Sequence, residues 1–213
     1  MRIGITQRVI TIDKTGERRD SLDQRWTTLM TGLGFTPILI PNMINNINEY
    51  LSDVKLDGVV LTGGDDIMEY ATESSATPER DRLEQALIEY CMHEDLPLIG
   101  ICRGFQSIVN HFGGRLKPIN HHVAIHHQIR LGESFMPGAE RTTNVNSFHN
   151  LSIFQEDLPQ KLKAQAWAAD GTVEAATLND HKILGIMWHP EREKPTTEFD
   201  KALFLKLFVR NTL

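Results

Sequence analysis

Two apolar runs in this chain each end on a glycine turn. Residues 57–64 read DGVVLTGG and residues 95–104 read DLPLIGICRG. A short run without polar alternation is the mark of a strand buried on both faces. Such strands lie in parallel sheets covered by helices, so this pattern limits the fold more than any other feature. The flanking segments agree. Leu83, Ala86, Leu87 and Tyr90 recur at helical spacing after the first run, with Thr77 and Pro78 as N-cap and first helical residue. Phe105, Ile108, Val109 and Phe112 form a second stripe, closed by Gly113-Gly114.

The same alternation extends both ways. RIGIT near the start reads as a strand, followed by a helix carrying Leu22, Trp26, Leu29, Met30 and Leu33, with Asp20 or Ser21 as its N-cap. GFTPILIPN reads as a turn and a further strand. GTVEAATL and KILGIMW read as strands near the end, and a terminal helix from about Glu198 carries Ala202, Leu203, Leu205, Leu207 and Phe208. Residues 115–150 are His-rich without a helix period and read as hairpins or loops over one end of the sheet. The expected architecture is three-layer α/β/α with a mostly parallel sheet, in a single domain over 1–213.

A net charge of -6 argues against a nucleic-acid binder, which needs clustered Lys and Arg. It leaves room for a small anion in a local basic pocket. No signal peptide and no transmembrane helix are legible, so a soluble cytoplasmic protein is expected. Cys91 and Cys102 are too few for a disulfide framework and fit a reducing compartment.

The two cysteines read differently. Cys91 lies beside the apolar face of its helix and reads as a small hydrophobe. Cys102 stands in the pattern G-x-C-x-G, between Gly100 and Gly104, at a strand's carboxyl end. That spacing parallels the nucleophile elbow, a turn that exposes its central side chain at a helix N-terminus, where backbone N–H groups favour thiolate. The alternative is a buried strand-end thiol. A nucleophile needs a base and a group to orient it. GIMWHPERE supplies His189 at a strand end, with Glu191 two residues on, on the same side of an extended chain. An oxyanion would be met by the N–H groups of Arg103 and of the glycine loop, with Gly64 as the candidate.

With these motifs in order, the chain resembles the class I glutamine amidotransferases, and more closely their stand-alone γ-glutamyl hydrolases, the peptidase C26 group. LTGG, GICRGFQ, VNSFH and WHPERE carry the resemblance over nearly the whole chain. It implies a flavodoxin-like fold, with Cys102 as nucleophile, His189 as base, Glu191 as its partner, and Gly64 and Arg103 as oxyanion donors. It further implies that Gln106 holds a γ-glutamyl group in a pocket lined by Asn146, Ser147 and Phe148. The substrate implied is a small γ-glutamyl amide, with no cofactor or metal. Since the chain ends soon after WHPERE, a stand-alone hydrolase is expected. A homodimer and a transient synthase partner stay open.

ERRDSLDQRW, GGDD and NHHVAIHH depart from the γ-glutamyl-GABA pattern. They are most similar to γ-glutamyl-CDP-amidate hydrolases of capsular phosphoramidate synthesis. A pyrophosphate leaving group needs cations, and Arg18, Arg19, His121, His122, His126 and His127 are candidates. The alternatives are a solvated helix start for the arginines and surface packing for the histidines. The i,i+4 pair His122 and His126 could bind zinc if helical. Related sheets with an elbow cysteine also serve as redox sensors, but such a sensor needs neither Glu191 nor Gln106.

Overall fold

The structure is a computed structural model that describes residues 1–72 and 75–210. The chain opens with β1 (Arg2–Ile5), then a hairpin of β2 (Arg8–Ile12) and β3 (Glu17–Ser21) that, among the described residues, pairs only with itself. Next come α1 (Gln24–Gly32), β4 (Thr36–Leu39), α2 (Ile47–Val54), β5 (Gly58–Leu61) and α3 (Pro78–His93). β6 (Leu98–Ile101) runs directly into α4 (Arg103–His111). The segment that follows is β-rich: β7 (Lys117–Pro118), β8 (Val123–Leu131), β9 (Thr142–Phe148), β10 (Leu151–Ser152), β11 (Leu162–Ala168), β12 (Val173–Leu178) and β13 (Ile183–Ile186). α5 (Glu198–Phe208) closes the chain.

Among the described residues the main sheet has nine strands, in the order β4-β1-β5-β6-β13-β12-β11-β8-β9. The pairings from β4 through β1, β5 and β6 to β13 are parallel, as the unbroken apolar runs require. The remaining ladders, from β13 to β9, are antiparallel. The His-rich middle is therefore a hairpin, as expected, but it is not laid over an end of the sheet. It extends the sheet itself through the pairing of β8 with β11.

Period-two alternation sorts each central strand between two cores. Val59 and Leu61 of β5 face one core with Leu87, Ile108 and Leu51 of α3, α4 and α2. Val60, between them, faces the other with Trp26 and Met30 of α1 and Leu203 and Phe204 of α5. This is the expected three-layer arrangement. In α5 the buried stripe is Leu203, Phe204, Leu207 and Phe208, while Ala202 and Leu205 face outward.

The start of α1 differs from expectation. Asp23 is the N-cap, accepting from Arg25 N, while Asp20 and Ser21 belong to β3. The charged run ERRDS pairs with RVITI instead of opening the helix. Asp20 is taken up by Asn42, whose Nδ2 donates to it at 2.7 Å.

Candidate active site

The parallel ladder between β6 and β13 sets Ile101 opposite Ile186, and Cys102 N donates to Ile186 O at 2.7 Å. Both strands therefore leave the sheet at the same carboxyl edge, where open α/β sheets hold their ligands. Cys102 adopts φ +50°, a conformation a branched-at-Cβ or bulky residue rarely takes. The glycines on either side explain how the turn closes. A Cβ on Gly100 would stand 2.5 Å from the Gly104 backbone, and one on Gly104 would stand 2.3 Å from Leu61 O. The helix passes so close to the strands that neither position can carry a side chain. Cys102 is 6% exposed at this elbow. Cys91 is buried in α3, and burial pushes its thiol well above the usual range.

His189 is buried three residues beyond β13, and its Nδ1 lies 2.8 Å from Glu191 Oε1. The pair is not formed by an extended chain. Pro190–Arg192 is a 3-10 turn, with Arg192 N donating to His189 O at 3.1 Å. The fixed φ of Pro190 suits the turn, which swings the Glu191 carboxylate back onto the ring. His189 Nε2 is buried without a hydrogen-bond partner. Burial alone would lower the imidazole pKa. The charge interaction with Cys102, with the bond and charge of Glu191, raises it to about 9.

Neighbouring residues fix the ring and the backbone that carries it. Gly63 leaves room for it, since a Cβ there would be 2.6 Å from His189 Cε1. Phe148 meets it edge to face at 5.7 Å. Trp188, one residue earlier, donates to Asp200 of α5 at 2.9 Å and anchors the segment. Asn146 grips the His189 backbone, with its Oδ1 accepting from His189 N at 2.9 Å. Its Nδ2 donates to His189 O at 2.8 Å. Ser147 Oγ donates to His122 O at 2.6 Å. The polar side chains of Asn146 and Ser147 thus shape the site from behind and do not project into the cleft beside His189. Gln106 is buried on α4, with Nε2 donating to Leu151 O at 3.1 Å.

Below the elbow lies a charged network that sequence reading missed. Arg80, Glu84 and Arg103 are each fully buried. Arg103 pairs with Glu84 and Asp81, and Arg80 Nε donates to Glu84 Oε1 at 2.9 Å. Arg80 also donates to Thr62 O at 2.6 Å and Gly63 O at 3.2 Å, holding the glycine loop in place. Burial would raise the Glu84 carboxyl, but Arg103 and Arg80 hold it below its usual range. In sequence, PERDRLEQ is a helix start with ordinary surface charge, and only the i,i+4 spacing of Arg80 and Glu84 hinted at a pair. Gly64, at φ +134°, is packed between Arg8 and Arg80.

A cleft of about 290 Å³ opens on His189, bounded by Thr62, Gly63, Trp26, Arg8, Glu191 and Arg192. The cations expected around a leaving group do not reach it. Arg18 Nε donates to Glu79 at 2.8 Å, and Arg19 is paired with Glu17 at 2.9 Å. A carboxylate stands within reach of each, so both are neutralised on the hairpin surface. His126 is exposed and lies 3.1 Å from Glu193. His122 is buried, with Nε2 at 2.9 Å from Asp170 and Nδ1 at 3.3 Å from His149 Nε2. This segment is not helical, so His122 and His126 form no zinc pair. The described residues that could jointly hold a metal ion are His122, His127 and Glu174, whose donor atoms lie within 4.8 Å of one another. Burial would raise the Glu174 carboxyl, but His127 and His149 hold it down at about 2.

Fold and site together define a class: a three-layer α/β protein with a cysteine elbow facing a carboxylate-held histidine. The chain belongs to the peptidase C26 family, whose model matches residues 3–191, and is a hydrolase. It is 36% identical over 196 residues to a γ-glutamyl-CDP-amidate hydrolase of Campylobacter jejuni, covering 91% of each chain. It is 28% identical to a γ-glutamyl-γ-aminobutyrate hydrolase of Escherichia coli O157:H7, covering 89% of this chain and 85% of that one. Among solved structures, a putative GMP synthase component of Thermoplasma acidophilum superposes with TM-score 0.74 at 21% identity, over 98% of this chain and 92% of that one. A glutamine amidotransferase of Thermotoga maritima gives 0.65 at 15% identity, over 96% and 81%. These two likenesses are of fold. No described helix is long and apolar enough to cross a membrane.

Proposed function

We propose that this chain hydrolyses a γ-glutamyl amide through a thioester on Cys102, with γ-glutamyl-CDP-amidate as the substrate. The observation that carries the reading is the convergence of the strained Cys102 elbow and the Glu191-held His189 at the carboxyl ends of adjacent strands. The choice of amide rests on the Campylobacter relative.

In this mechanism Cys102 Sγ attacks the γ-carbonyl carbon. The N–H groups of Arg103 and Gly64 receive the oxyanion. The C–N bond breaks as His189 Nε2 gives its proton to the departing nitrogen, releasing cytidine diphosphoramidate. His189 then takes a proton from water, which attacks the thioester. Glutamate leaves as the thioester C–S bond breaks, the sulfur departs as thiolate, and the proton taken from water stays on His189, which restores the starting pair. An imidazole held charged at neutral pH has its proton ready for the first departure. Glu191 fixes the tautomer and stabilises the imidazolium. Gln106 and Phe148 border the glutamyl side.

The test is a substrate panel of γ-glutamyl-CDP-amidate, γ-glutamyl-GABA, glutamine and γ-glutamyl peptides. Cys102→Ser is the control, with a loss of at least about 10³-fold expected. Preference for γ-glutamyl-GABA by orders of magnitude would overturn the choice of amide. Preference for glutamine would point instead to an ammonia supplier working with a synthase partner. Undiminished turnover in Cys102→Ser would remove the thioester mechanism.

A further inference from the structure

We propose that the cleft between Arg8 and Arg192 is a binding site for an anionic, ring-bearing leaving group of the nucleoside diphosphate class, and that Arg8 selects for it. This rests on the hydrolase reading above and assigns the part of the substrate that the glutamyl pocket does not hold.

The departing nitrogen must come within reach of His189 Nε2, so whatever it carries extends into the space on that ring's side. The 290 Å³ cleft borders His189, and neither Gln106 nor Ser147 lines it. Two cations do. Arg8, the first residue of β2, has no ion pair or side-chain hydrogen bond among the described residues, and its stem lies against Gly64. Gly64 has to be bare for this, since a Cβ there would stand 2.4 Å from Arg8 Nε. Arg192 stacks on Phe148 at 4.2 Å. Its Nε lies 3.6 Å from Glu191 Oε1 and is buried without a hydrogen-bond partner.

The acidic groups at the cleft are already engaged. Glu191 holds His189, and Asp23 caps α1 and pairs with Arg25 at 3.2 Å. Glu191 is shared between His189 and Arg192, so Arg8 is the cleft cation with no carboxylate partner among the described residues. A guanidinium fork matches phosphate oxygens, and two forks lining one cleft suit a ligand with more than one of them. Ile10, Leu22 and Trp26 add an apolar wall. A short aliphatic carboxylate leaves that wall unused. A base and ribose joined to a diphosphate would cover it.

The ligand side is tested without turnover. Titration calorimetry with CDP, and separately with GABA, is run on the wild-type protein and on Arg8→Ala, Arg8→Lys and Arg19→Ala. CDP is expected to bind the wild type, more tightly than GABA. Arg8→Ala should weaken CDP about 10–100-fold and Arg8→Lys by less. Arg19→Ala, already paired with Glu17, should change it less than about twofold. With γ-glutamyl-CDP-amidate, Arg8→Ala should raise KM more than it lowers kcat. No CDP binding to the wild type, or equal binding to Arg8→Ala, overturns the site. Failure of the hydrolase reading would appear separately, as absence of Cys102-dependent turnover of every γ-glutamyl amide.

Discussion

Asn146 holds His189 by the backbone on both sides, accepting from its N–H at 2.9 Å and donating to its carbonyl at 2.8 Å. Asn146 comes from β9, at the far edge of the sheet, and His189 from the end of the parallel centre. The antiparallel extension thus serves as a brace for the imidazole. Asn146→Ala should lower kcat about 10–100-fold, because an ångström of ring displacement weakens proton transfer. KM should change less than about threefold. Steady-state kinetics decide it, and a pure KM effect would place Asn146 on the substrate instead.

Gly104→Ala would put a methyl 2.3 Å from Leu61 O and 2.7 Å from Leu61 Cβ. The first neighbour is backbone, so no rotamer change relieves the clash. The variant should lose at least about 2 kcal/mol of stability. Urea unfolding midpoints measure this, and an unchanged midpoint would contradict the close packing at the elbow.

Glu84→Gln leaves Arg80 and Arg103 buried with their central carboxylate neutralised. Loss of one partner in a buried ionic cluster costs about 3–5 kcal/mol. Chemical denaturation should show that loss. Because Arg80 also holds the Thr62 and Gly63 carbonyls, residual activity should fall beyond what the unfolded fraction explains.

The raised pKa of His189 makes a signed prediction. The folded value of about 9 stands above the ordinary 6.5. Imidazolium pairing therefore stabilises the fold fully below pH 6.5, and the contribution fades as pH rises through 9. Cys102→Ala removes the interaction with the sulfur and should move the midpoint down, as should Glu191→Gln. NMR titration of the His189 ring follows it, and a midpoint that stays near 9 in Cys102→Ala would contradict the coupling.

The parallel centre was readable because its strands are buried on both faces, and nothing but apolar residues can occupy them. The elbow was readable for a related reason: close backbone approach at Gly100 and Gly104 leaves glycine as the residue that fits. The hairpin of β2 and β3 escaped because its charged strand pairs with a neighbour beyond a turn, while ERRDSLDQRW taken locally resembles a helix entrance. Arg80, Glu84 and Arg103 escaped because charge ordinarily signals solvent, and their burial depends on one another. The positions of Arg18 and Arg19 turned on carboxylates at Glu79 and Glu17, one of them 61 residues away. Such pairings leave no local periodicity to detect.

The hairpin of β2 and β3 carries Arg8 yet, among the described residues, pairs with no strand of the main sheet. Its turn, from Asp13 to Gly16, can be lengthened or recomposed without disturbing a ladder of the central sheet. If Arg8 meets the leaving group as proposed, a library confined to residues 8–21 should vary which amine departs without altering a residue of the Cys102 elbow or the Asn146 brace.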